Sequence, residues 1–215
     1  WQSVVVGAGF SIADGPRVAL DYTLPNLFGR ALEFATRLKV NYPLVILRPD
    51  LAAFTPAERI EMLLNFGLRY PRLFSLPFLA ARTDLIGEHR IRSSYDIWRG
   101  ALALGLDLVR FGIFSASLTY EVEANNVESR SSYYSTFDIA RAEEAQNLFP
   151  VGFTTLNALR PTVSLDLRDN SAHPRRGLLA TATLEYAHNL GGSQYHINYV
   201  KLFGTLSGYV PLGQV

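Results

Sequence analysis

Hydrophobic and polar residues alternate with a period of two along most of this chain. Over 59–70, Ile60, Met62, Leu64, Phe66, Leu68 and Tyr70 fall on one face. Arg59, Glu61, Asn65 and Arg69 fall on the other, with only Leu63 and Gly67 off the pattern. Successive side chains of a strand point to opposite faces. The segment is therefore a ribbon, apolar on one side and charged on the other, with enough length to cross a bilayer when tilted. The pattern recurs over 2–12, 16–24, 30–41, 59–70, 78–91, 97–109, 113–123, 158–168, 178–188 and 194–210. In the last of these, Tyr195, Ile197 and Tyr199 share one parity and Leu202, Leu206 and Val210 the other, which predicts a bulge near Lys201.

Between the strands lie turn signals. Asp14-Gly15 is a hairpin turn, Pro25 to Gly29 breaks the second strand, and Gly-rich residues 189–193 predict another hairpin. Residues 42–58 and 124–156 are the long connections. Thr55-Pro56-Ala57-Glu58 has the pattern of a helix cap, and Ile139 to Leu148 reads as a short surface helix. By strand count Pro25, Pro71, Pro77, Pro174 and Pro211 fall on one side of the membrane. That side has the shorter turns and is assigned to the periplasm.

An antiparallel sandwich also alternates. Three features favour a membrane barrel. The polar faces mix Arg, Glu and Asp, the strands exceed the usual 5–6 residues, and short and long connections alternate. The expectation is an all-β, antiparallel, up-and-down transmembrane β-barrel occupying 1–215 as one domain. Lumen-facing charges would be Arg17, Arg37, Lys39, Glu61, Arg69, Glu121 and Glu123, with Arg82 among them.

Composition narrows the function. No window of 18 apolar residues is present, which excludes a transmembrane helix. A net charge of +1 gives no field for nucleic acid. With no cysteine, thiolate chemistry and disulfides are excluded. Trp1 opens no signal peptide, so the chain is expected to be mature or excised. His89, His173, His188 and His196 lack metal-ligand spacing, no serine sits in a nucleophile elbow, and Gly7-Ala8-Gly9 precedes no helix that would bind phosphate. The expectation is a protein without enzymatic activity, metal or cofactor.

Residues 159–177 read LRPTVSLDLRDNSAHPRRG. Asp166, Arg168, Asp169, Asn170, Pro174 and Gly177 in this segment resemble a strand-turn motif of the Omp85 superfamily. Gly9-Phe10-Ser11, Asp14-Gly15 and Asn26-Leu27-Phe28-Gly29-Arg30 resemble that family's first hairpin and following turn, and Tyr209-Val210-Pro211-Leu212 resembles the end of its tenth strand. The resemblance implies a sixteen-stranded outer-membrane barrel preceded by POTRA repeats, of which this chain would supply ten strands. The family's Val-Arg-Gly-Phe/Tyr loop motif, the POTRA repeats and the C-terminal barrel strands are absent from this sequence; a complete ten-stranded barrel is the other reading. Family function implies insertion or translocation of polypeptides at an outer membrane, bacterial or organellar. Its partners would be the lipid bilayer, unfolded outer-membrane protein clients and accessory lipoproteins. A passive pore and a barrel anchoring an enzymatic passenger are the alternatives.

In the resembling family the first strand closes against the last through a weak seam. Val4, Val5, Val6, Gly7, Ala8, Gly9 and Phe10 would form that gating edge, with Gly7 and Gly9 weakening the strand. The competing reading is that these glycines make room for side chains of the lumen. Asp166 to Gly177 likewise reads either as a network holding the lumen or as ordinary turn chemistry.

Overall fold

The computed structural model describes residues 1–12, 15–52, 54–92, 95–110, 113–129, 152–189 and 197–211. Its strands are β1 Ser3–Ser11, β2 Gly15–Leu27, β3 Leu32–Asn41, β4 Glu61–Tyr70, β5 Leu79–Ile91, β6 Tyr95–Arg110, β7 Phe114–Ser129, β8 Gly152–Asp166, β9 Gly177–His188 and β10 Asn198–Tyr209. Each pairs antiparallel with its sequence neighbours in one ten-stranded sheet ordered β1 to β10. Among the described residues β1 and β10 do not pair, so the sheet is open there.

Antiparallel register puts directly opposed residues on the same face. Asp21↔Arg37↔Asn65 and Ala103↔Glu121↔Ala158 therefore run across the polar face. Val18↔Val40↔Met62↔His89↔Trp98 runs across the apolar one. In a membrane barrel the apolar face meets lipid and the polar face lines the lumen. Aromatic side chains gather near both ends of the apolar face. Phe34 packs against Tyr22 and Phe66 at centroid distances of 6.2 and 6.4 Å. Toward the opposite end His89 stacks on Trp98 at 4.1 Å while its Nδ1 donates to the Ile60 carbonyl at 2.7 Å.

Several boundaries differ from the pattern in the sequence. β2 runs through Pro25 to Leu27, because a register shift between Leu24 and Leu27 absorbs the proline at a bulge. β10 keeps one register with β9 from Asn198↔His188 to Tyr209↔Gly177, so there is no bulge at Lys201. Tyr199 and Phe203 lie on the polar face, opposite Ala187 and Thr183. β7 and β8 extend into the long connection expected at 124–156; Ile139 to Leu148 and the hairpin tip at 190–196 lie outside the described residues.

The other long connection folds down on the sheet. Its Leu51 and Phe54 form a buried cluster with Ile91 at the end of β5. The cap at Thr55 forms one helical turn: Thr55 N donates to Glu58 Oε2 at 2.8 Å and Arg59 N to the Thr55 carbonyl at 3.2 Å.

Candidate functional site

Three places on the sheet carry most of the residues singled out above. One is a ladder of ion pairs along the polar face. Arg99 on β6 reaches Glu121 at 2.8 Å and Glu123 at 2.6 Å on β7, and Glu88 on β5 at 3.7 Å. Arg160 on β8 pairs with the same Glu121 and, at 2.5 Å, with Glu185 on β9. Tyr199 on β10 donates its hydroxyl to Glu185 at 2.5 Å. The chain Glu88, Arg99, Glu121, Arg160, Glu185, Tyr199 thus joins six adjacent strands. Glu88 and Glu121 are buried, and charges removed from water need such partners. Arg82 lies a little further along, donating to Thr119 Oγ1 at 2.9 Å.

The remaining charges named from the sequence are on the same face but in smaller groups. Arg37 pairs with Asp21 at 2.5 Å, largely exposed, and Arg69 stands 4.0 Å from Glu33. Glu61 is buried and fastens the end of β5 to the β3–β4 region. It accepts from the Ile91 N–H at 3.1 Å, from Arg92 at 3.4 Å and from Asn41 at 3.4 Å. Lys39 lines the shallow hollow beside it, with Arg90 and Arg92.

Another place is the β8–β9 turn. Arg168 clamps Asp166 through two bonds of 2.8 and 2.7 Å, and its guanidinium lies 6.0 Å from the Tyr209 ring. This brings the end of β10 to the turn. Asp169 Oδ1 accepts the backbone N–H groups of Asn170, Arg175 and Arg176 at 3.0, 3.0 and 3.2 Å. Those donors, chiefly Arg175 and Arg176, hold its carboxyl below the usual range. Asn170 Oδ1 caps Ala172 and His173 at 2.8 and 3.2 Å. Gly177 sits at φ +117°, where an added Cβ would lie 2.2 Å from the Leu167 carbonyl oxygen. Pro174 lies between them in the same turn.

The β1 edge is the third. Val4, Val6, Ala8 and Phe10 lie on the apolar face, and Val5, Gly7 and Gly9 on the polar face opposite Asp21, Ala19 and Arg17. An added Cβ at Gly9 would come 2.9 Å from Arg17 Nε, so this glycine makes room for the arginine; Gly7 has open space above it.

Alternation in the sequence sorts these residues by face. It does not supply register, and register alone reveals Arg99 and Arg160 as hubs and Glu185 and Tyr199 as their continuation.

A lipid-facing apolar surface, a hydrated charged face and up-and-down connectivity define an outer-membrane-type transmembrane β-barrel. The model of the Omp85 superfamily domain matches residues 19–215, and the chain belongs to that superfamily, a family of outer-membrane protein assembly and translocation rather than catalysis. The match begins after β1. Among solved structures, BamA from Haemophilus ducreyi lacking POTRA domains 1–3 superposes with a TM-score of 0.64 at 14% identity, over 99% of this chain and 38% of that one. No curated protein matches. The chain is an outer-membrane barrel that spans well under half the length of this structural relative.

Proposed function

We propose that this chain is ten strands of a larger, sixteen-stranded barrel that inserts or exports polypeptides, and that β1 is the edge that opens to receive them. Unfolded outer-membrane proteins are the clients, the short-turn side faces the periplasm, and accessory lipoproteins assist there. The observation that carries this reading is the state of β1. Its nine residues, SVVVGAGFS, include two glycines and no charge. An edge of this kind exposes a row of unpaired N–H and C=O groups that templates an incoming strand. β5 to β10, by contrast, are cross-tied by the ion-pair ladder.

The test uses the full-length protein with one cysteine at Val6 and one on the strand that closes the barrel. Oxidation is expected to stop insertion of a client barrel into vesicles, and reductant to restore it. Full insertion by the oxidised protein overturns the gating role. Steady ion conductance by that oxidised, still active protein would point instead to a passive pore.

A further inference from the structure

The β2–β3 and β4–β5 turns lie on the same side of the sheet and share an uncommon construction. In one, Arg30 N donates to the Leu27 carbonyl at 3.3 Å across Phe28 at φ +58° and Gly29 at φ +67°. In the other, Leu76 N donates to the Leu73 carbonyl at 3.0 Å across Phe74 at φ +54° and Ser75 at φ +62°. Two successive positive φ values inside an i to i+3 bond resemble a type I′ turn, for which Asn-Gly is the favoured pair. Each turn instead holds a phenylalanine in the left-handed region, where a bulky side chain is strained.

Neither ring is paid back by burial: Phe28 is 83% and Phe74 80% exposed. Beside them stand Arg30 and Arg72, both exposed, and neither has an ion-pair partner among the described residues. The side chain of Asn26 pins the first turn through a 2.8 Å bond to Ala31 N. Just above both turns is the aromatic cluster of Tyr22, Phe34 and Phe66 on the lipid-facing surface. The two hairpins involve consecutive strands β2 to β5, so they stand about 10 Å apart at the usual strand spacing.

We propose that these two turns form an anchor in the bilayer leaflet on their side, with Phe28 and Phe74 entering the acyl boundary and Arg30 and Arg72 binding phospholipid phosphates. Strained backbone that exposes apolar rings is kept where the surroundings use them. Aromatic rings next to cations match the two layers of a membrane interface, and the site continues the aromatic girdle. The phosphate is recognised as a headgroup: free phosphate supplies nothing for the rings.

The experiment places F28W and F74W separately in the full-length protein, reconstituted in phosphatidylethanolamine vesicles with 0–30% phosphatidylglycerol, with the parent protein's emission subtracted. Lipids brominated high on the acyl chain are expected to quench each new tryptophan at least twofold, increasingly with phosphatidylglycerol. The R30Q/R72Q pair should flatten that dependence. Quenching by aqueous acrylamide without bromolipid quenching would place the turns in water and overturn the anchor. Protection from both quenchers would place them against protein and overturn it equally, and a phosphatidylglycerol dependence unchanged in R30Q/R72Q would remove the phosphate contact. Phe28→Asn, which suits the turn, provides a variant that folds at least as well: it should keep its melting midpoint in detergent and, combined with F74W in reconstituted vesicles, weaken bromolipid quenching of that tryptophan about twofold, and unchanged quenching would show that the two turns do not act as one anchor.

Discussion

Glycines of the sheet act individually, and what each one faces decides its role. A Cβ at Gly105 would lie 2.4 Å from Arg82 Nε and 2.6 Å from Arg82 Cγ, so the arginine crosses the sheet directly over that residue. Gly105→Val should displace Arg82, break its bond to Thr119 and cost about 1–2 kcal/mol in denaturant unfolding of the full-length protein. Gly100 has open space around its α-carbon, so Gly100→Ala should be neutral or gain up to about 1 kcal/mol. Gly177→Ala meets backbone at a positive φ and should cost more than either, above about 2 kcal/mol. The sequence displays all three glycines alike; the arginine above one and the carbonyl beside another come from strands distant in the chain. Turn chemistry was more legible, since Asp169, Asn170 and Pro174 act on backbone within a few residues. The carboxyl of Asp169 is lowered in the folded turn by the Arg175 and Arg176 amides. A lowered carboxylate stabilises fully above its unfolded pKa, near 3.9, and loses that contribution as pH falls through the folded value. Hydrogen exchange at the Arg175 and Arg176 amides, corrected for its intrinsic pH dependence, should therefore lose protection only below about pH 4. Asp169→Asn should lack this transition.

Strand existence and facing follow from the alternation because side-chain period is a local property, and β4 and β6 read almost directly from it. Strand ends and pairings do not. β7 continues through polar Asn125 and Asn126 because β6 and β8 supply ladder partners on both sides, and reaches Glu128 against β6 alone. Similarly, the bulge expected in β10 from the parity of Tyr195, Ile197 and Tyr199 is not there: Tyr199 and Phe203 are aromatic residues that stand on the polar face. One of them ends the ion-pair ladder. Glu121 is the element-scale test, since it is buried and bonded to arginines on two flanking strands. Glu121→Gln leaves both guanidinium groups short of a charge and should cost roughly 2–4 kcal/mol. Arg37→Gln removes an exposed pair between β2 and β3 and should cost about 0–1 kcal/mol. Equal losses in the two variants would show that the ladder is no more than scattered surface pairing.

Across the whole molecule the ties are uneven. Among the described residues, β5 to β10 share one connected ladder, β2 to β4 are tied by the separate Asp21–Arg37, Glu33–Arg69 and Asn41–Glu61 contacts, and β1 contains no charged residue. β1 is also the shortest strand, at nine residues against sixteen in β6 and β7. In a sheet whose apolar face meets lipid throughout, the polar face sets how firmly neighbouring strands hold together. Local opening draws on regions with few buried contacts and unsupported backbone bonds. In the intact protein, backbone amides of Val4 to Phe10 should exchange faster than those of Leu102 to Leu106, by at least an order of magnitude. Glu121→Gln should narrow that contrast by speeding β6 and β7 while leaving β1 unchanged. If β1 exchanges as slowly as β6 in the closed barrel, the seam is held by contacts from its closing strand, and opening then requires a client or a bound factor to break them. If the contrast appears, the asymmetry of charge is sufficient to make β1 the first strand to part from the wall.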